Sequence, residues 1–278
     1  MQSHFSMIWE SVADSVPEHV ALIQGERQIS WRDYEDRSAR LAQGLIDAGL
    51  GHNSKVGMYL YNSPEYAETN FAAMKIGGVP INVNYRYLDD ELHYLLENAD
   101  IEALVFHSSL GDRVARVCDR LPMLKAMICV DDGPAEDGSM GPTTSIPHDT
   151  FLAQASGTAK TQPLGDEIYM LYTGGTTGMP KGVMYPLDGF TEFFMRGFPP
   201  MIGLPPFEDA AQFSRAARQM VDANATVVAM SGPPLMHGTG CWLGLMFPHM
   251  LGGTSVLLER RGFKPEEVWS TVERDRVS

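Results

Sequence analysis

Apolar and polar positions along the first 130 residues switch repeatedly between helical and extended periods. Tyr34, Leu41, Ala42, Leu45 and Ile46 recur at helical spacing. Ser30 can cap that helix, and Gly49 and Gly51 end it. Lys55 to Tyr61 reads as a buried strand, and Ser63-Pro64 opens a second helix with proline at its first position, stopped by Gly77-Gly78. A strand at 79–83, a helix at 89–98, a strand at 103–106, a helix at 111–121 and a strand at 126–130 follow. Strands separated by helices imply βαβ units, so the expected class is α/β, with mostly parallel sheets flanked by helices.

The pattern breaks from Asp131 to Asp166, where Gly, Pro, Ser, Thr and acidic residues predict a long surface connection with one helical turn near Phe151. Order resumes with the apolar strand 168–172. Segments 227–230 and 254–258 predict strands of a second sheet, followed by a helix at 265–274. The sub-regions are therefore a first α/β sheet region (1–130), a connection (131–166), and a third region (167–278) that holds a glycine-rich loop and the second sheet.

Composition narrows the function. The chain has 278 residues, enough to bury about three quarters of its unfolded surface. A net charge of −14 with no basic cluster argues against nucleic acid and anionic lipid as partners. An anionic substrate would have to be captured by a local positive site. Cys118, Cys129 and Cys241 are odd in number and lack C-x-x-C spacing, which disfavours structural zinc and disulfides and fits a reducing cytoplasm. The most apolar stretch, 226–258, is interrupted by glycine and proline, so a soluble protein is expected.

The segment Tyr172 to Gly182, YTGGTTGMPKG, carries the chemistry. Gly174, Gly175 and Gly178 free the backbone to turn and let an anion approach its N–H groups. Thr173, Thr176 and Thr177 add hydroxyl donors, and Lys181 adds a full positive charge. Neither the Walker pattern G-x-x-x-x-G-K-[ST] nor the dinucleotide pattern G-x-G-x-x-G fits these spacings. The alternative is a glycine-rich turn with a solvated lysine.

This string resembles the Y-[TS]-S-G-T-T-G-x-P-K-G signature of the AMP-forming acyl-CoA synthetases, luciferases and non-ribosomal adenylation domains. Gly174 stands where the family more often has serine, and the TGGTTG variant is similar to that of actinobacterial fatty-acid and steroid-side-chain CoA ligases. The segments 29–34 and Asn82-Val83-Asn84-Tyr85-Arg86 look like the family's N-terminal sheet domain. Pro233 to Gly240, PPLMHGTG, resembles its P-x-x-H-x-x-G landmark.

The resemblance implies the N-terminal subdomains of the adenylate-forming fold, truncated, with the small C-terminal domain absent. It implies ATP-dependent activation of a carboxylic acid to an acyl adenylate, then transfer to coenzyme A, with ATP, Mg²⁺ and coenzyme A as cofactors. An adenylation module that loads a carrier protein and a non-catalytic nucleotide- or acyl-binding remnant are the alternatives. Thr173, Gly174, Gly175, Thr176, Thr177, Gly178 and Lys181 would hold the phosphates; Lys181 and His237 would be catalytic, His237 by positioning the carboxylate. Thr239 would line the substrate channel. No metal ligand is assigned. The implied partners are a small carboxylic acid, ATP and coenzyme A, without nucleic acid or integral membrane association, and a homodimer is left open. Later family segments would lie beyond Ser278, so little ligase turnover is expected from this polypeptide alone.

Two further groups keep two readings each. Phe190, Phe193, Phe194, Met195, Phe198, Met201 and Phe207 could line an apolar acyl pocket or fill the core. Arg260 and Arg261 could meet coenzyme A phosphates or form a solvated pair.

Overall fold

The computed structural model describes residues 4–175, 178–259 and 261–278. In chain order the elements begin with α1 (Phe5–Ser15), β1 (Val20–Gln24), β2 (Arg27–Ser30), α2 (Trp31–Asp47), β3 (Lys55–Tyr59), α3 (Pro64–Lys75) and β4 (Val79–Asn82). There follow α4 (Asp89–Asn98), β5 (Ile101–His107), α5 (Gly111–Val117), β6 (Ala126–Val130), β7 (Ile146–Pro147) and α6 (His148–Gln154). The remainder is β8 (Ile168–Gly175), β9 (Gly178–Pro186), α7 (Leu187–Met201), α8 (Ala210–Asp222), β10 (Val228–Met230), α9 (Gly238–Cys241), α10 (Phe247–Met250), β11 (Thr254–Leu257) and α11 (Pro265–Asp275).

The chain divides into two compact units, each assembled from separate stretches. One comprises Arg37–Tyr61 and Glu68–Tyr185. Its sheet runs β4-β3-β5-β6-β7 and every pairing in it is parallel. Tyr59, Ile81, Leu95, Leu104, Phe106 and Val114 form its apolar centre, which Tyr172 joins. The ladder is buried on both faces, as a parallel sheet covered by helices requires. Within this unit Arg37, Glu68, His148 and Asp149 tie α6 down. Arg37 Nε lies 2.7 Å from Glu68 Oε1 and Nη2 lies 3.0 Å from Asp149 Oδ1. His148 Nε2 is 3.6 Å from the other Glu68 oxygen, and Glu68 is wholly buried.

The other unit comprises Met1–Asp36, Asn62–Ala67 and Pro186–Ser278. Its sheet is ordered β10-β11-β1-β2, with β10, β11 and β1 parallel and β2 returning antiparallel. β10 and β11 answer the second sheet read from the sequence, but the other partner of β11, β1, comes from the first 30 residues. The aromatic run after β9 forms α7. Phe190, Phe194, Met195, Phe198 and Phe207 are buried, whereas Phe193 and Met201 are each 68% exposed. Phe194 stacks edge-on against Phe190 at 4.6 Å and Phe247 at 4.3 Å, and Phe5 lies 5.8 Å from both Phe190 and Phe194. Core filling is thus the role of the five buried residues. Among the described residues no helix is long and apolar enough to cross a membrane.

Candidate functional site

The glycine-rich segment is folded as the end of β8 and the start of β9, two strands that pair as a small ribbon. β8 is anchored by one residue. Tyr172 is buried and donates its backbone N–H to Asn82 Oδ1 at 2.7 Å, while Asn82 Nδ2 donates to the Tyr172 carbonyl at 2.8 Å. The Tyr172 hydroxyl donates to Asn98 Oδ1 at 2.8 Å, and burial raises its pKa above the usual phenol value.

Beyond this anchor the chain opens to solvent. Thr173, Gly174, Gly178 and Lys181 are exposed. A methyl group built on Gly174 or Gly178 would meet nothing within 4 Å. Gly175 ends β8, and Thr176 and Thr177 lie outside the described residues. Lys181 projects from β9 with no ion-pair partner among the described residues. Gly182, next along β9, approaches closely: a Cβ there would lie 2.8 Å from Met170 Sδ and 3.0 Å from Tyr172 Cε2. The structure therefore brings Thr173, Gly174, Gly178 and Lys181 onto one exposed ribbon.

His237 and Thr239 fall in the other unit, on a turn that is separately built. Leu235 is held at both backbone groups, its N–H by Asn62 Oδ1 (2.8 Å) and its carbonyl by the Tyr66 hydroxyl (3.0 Å). The turn then closes through His237 N–H to the Pro234 carbonyl at 3.0 Å. His237 is the residue just before α9, in an extended conformation, and both it and Thr239 are exposed. Gly240 is required here: a Cβ would lie 2.3 Å from the Pro234 carbonyl oxygen. The helix continues through a π-helical turn, Trp242–Met246, into α10. Such turns occur frequently at functional sites. Gly244 permits the close approach of this turn to Ser231, where a Cβ would stand 2.4 Å from the serine Cβ.

Among the described residues no group of three or more His, Cys, Asp or Glu could hold a metal ion. Arg261 is exposed, and Arg260 lies outside the described residues. The sequence did not single out Asn82, Asn62 or Tyr66 as builders of these segments. An asparagine closing a parallel strand was the available signal, but only folding shows what its amide reaches.

The family of AMP-binding enzymes matches residues 9–278. The chain belongs to it. Among similar AMP-binding proteins is a medium/long-chain-fatty-acid–CoA/3-oxocholest-4-en-26-oate–CoA ligase of Mycolicibacterium smegmatis, 35% identical over 273 residues, covering 97% of this chain and 47% of that protein. A 3-oxocholest-4-en-26-oate–CoA ligase of Rhodococcus rhodochrous is 34% identical over 270 residues, with 97% of this chain and 47% of that protein covered. The chain thus spans about half the length of the relatives it matches. The fold is also that of a crystallised long-chain-fatty-acid CoA ligase from Rhodopseudomonas palustris, with a TM-score of 0.76 at 22% identity, over 100% of this chain and 62% of the other. These findings agree with the sequence-based reading of the family and of the α/β class.

Proposed function

We propose that this polypeptide is part of an ATP-dependent acid–thiol ligase and that its β8–β9 ribbon holds the nucleotide's polyphosphate. A free carboxylate is a poor acyl donor, because oxide would have to leave. Attack of the carboxylate oxygen on the α-phosphorus of ATP forms an acyl adenylate, a mixed carboxylic–phosphoric anhydride, and releases pyrophosphate. AMP is then the leaving group when a thiolate sulfur attacks the acyl carbon. Charge gathers on the phosphates in the first step, so positioned N–H donors and a cation accelerate it. Thr173, Gly174, Gly175, Thr176, Thr177, Gly178 and Lys181 take that role in this reading, His237 positions the carboxylate, and Thr239 borders the acid and thiol. Coenzyme A is the thiol and a fatty or steroid-side-chain acid is the substrate, a choice supported by the names of the relatives. Mg²⁺ would travel with the triphosphate, and the described residues of the chain contribute no cluster to hold it.

The observation that carries the reading is an exposed glycine ribbon whose first strand is anchored at Tyr172 and whose second strand carries an exposed Lys181 with no ion-pair partner among the described residues. Titration of the chain with MgATP tests it. A charged hydrogen bond is worth about 1.5–3 kcal/mol, so Lys181→Ala should weaken binding by roughly 10- to 150-fold. Equal affinity in the two proteins would remove Lys181 from the site.

A further inference from the structure

The strand that delivers the glycine ribbon is fixed at its last buried residue by a side chain that imitates a neighbouring strand. Asn82 ends β4, where Met58 of β3 is its ladder partner on the other side. The residue is only 8% exposed, and its side-chain amide sets a carbonyl oxygen and an N–H side by side as a peptide group does. Both are used on a single residue: Oδ1 receives the Tyr172 N–H at 2.7 Å and Nδ2 donates to the Tyr172 carbonyl at 2.8 Å. The next residue, Thr173, is exposed, and around Gly174 there is open space. The chain therefore passes from a residue held at both backbone groups to exposed residues within two positions.

We propose that Asn82 is a positioning residue for the phosphate ribbon: by clamping both backbone groups of Tyr172, it sets the direction in which Thr173 and Gly174 leave β8. The inference rests on the polyphosphate reading of the ribbon. Donors that are already aimed lose less freedom when the anion arrives, so the clamp raises affinity without touching the ligand. A role confined to stability would look different. It would lower the unfolding temperature and leave affinity unchanged wherever the protein is still folded.

The experiment uses the 278-residue chain, with MgATP and inorganic pyrophosphate as probes, at a temperature where circular dichroism shows each variant folded. Asn82→Leu removes both bonds and should weaken both probes about tenfold, as aimed donors become free to move. Asn82→Asp is nearly isosteric and keeps the acceptor for the Tyr172 N–H, but sets an oxygen against the Tyr172 carbonyl. It should weaken binding in the same direction and serves if the leucine variant does not fold. Amide resonances of Tyr172, Thr173 and Gly174 should move in either variant, while those of β3 and β5 stay in place. Wild-type affinity in a folded Asn82 variant would overturn the proposal even if Lys181→Ala binds weakly. Absence of MgATP and pyrophosphate binding by the wild-type chain would overturn the polyphosphate reading and this inference together.

Discussion

His249 should make one unit of this protein acid-sensitive by an amount that the structure sets. The side chain is completely buried on α10, with its ring 4.9 Å from Trp31, 5.2 Å from Tyr34 and 6.4 Å from Trp9. Its Nε2 lies 3.2 Å from the Ala21 carbonyl; a carbonyl only accepts, so Nε2 carries the proton. Nδ1 has no partner among the described residues. Protonation would place a charge among aromatic rings, and this loss of hydration pulls the pKa from 6.5 down to about 3; the bond to Ala21 acts weakly the other way. The folded pKa lies below the unfolded one, so the unfolded chain takes up a proton that the folded chain refuses. Stability from this group is whole above pH 6.5, falls steadily below it, and levels off near pH 3. At pH 5 the loss is about 2 kcal/mol, from ~1.4 kcal/mol per pKa unit.

All four tryptophans, Trp9, Trp31, Trp242 and Trp269, fall in the unit that contains His249, so urea unfolding followed by tryptophan fluorescence reads that unit. The comparison is with His249→Gln, which keeps an N–H donor and cannot titrate. Between pH 7.5 and pH 5.0 the wild type should lose about 2 kcal/mol more than the variant. A stability difference that stays constant over that range would refute the account of His249 as a neutral, unhydrated imidazole.

Two further outcomes follow from the other unit. Arg37→Ala leaves the wholly buried Glu68 without its closest cation, which should cost about 3 kcal/mol; Arg37→Met with Glu68→Met should recover most of it. Far-ultraviolet circular dichroism during urea unfolding measures both, and a loss under 1 kcal/mol for the single variant would mean that His148 already balances the carboxylate. Gly174→Ser should leave the fold intact, since nothing lies within 4 Å of the new Cβ, and should tighten MgATP binding about fivefold through one more hydroxyl donor. Weaker binding in calorimetry would place the polyphosphate away from this position.

Much of the architecture was present in local pattern. The helix spacing around Tyr34 to Leu45, the Ser63-Pro64 start of α3 and the apolar runs of β3 to β6 appear where periodicity places them, because each element buries one face or two. Ile46, read as part of the buried face of α2, is 42% exposed, since it lies at the edge of the stripe. The 111–121 helix is shorter than its pattern, turning to 3₁₀ geometry at Cys118–Arg120. That Thr173, Gly174, Gly178 and Lys181 share one exposed ribbon follows from their closeness in the chain, which needs no distant partner.

What no local pattern contained was the company each residue keeps. The sequence could name β10 and β11 but not that β1, some 230 positions earlier, lies beside β11, because strand pairing depends on where distant segments meet. It left the aromatic run open between pocket and core, a question decided when Phe5 and Phe247 closed around Phe190 and Phe194. The unhydrated His249 and the clamp of Asn82 on Tyr172 arise in the same way. Amino-acid order sets which groups are available and how the nearby backbone turns; burial and the partner of each polar atom exist only once segments far apart in the chain have packed.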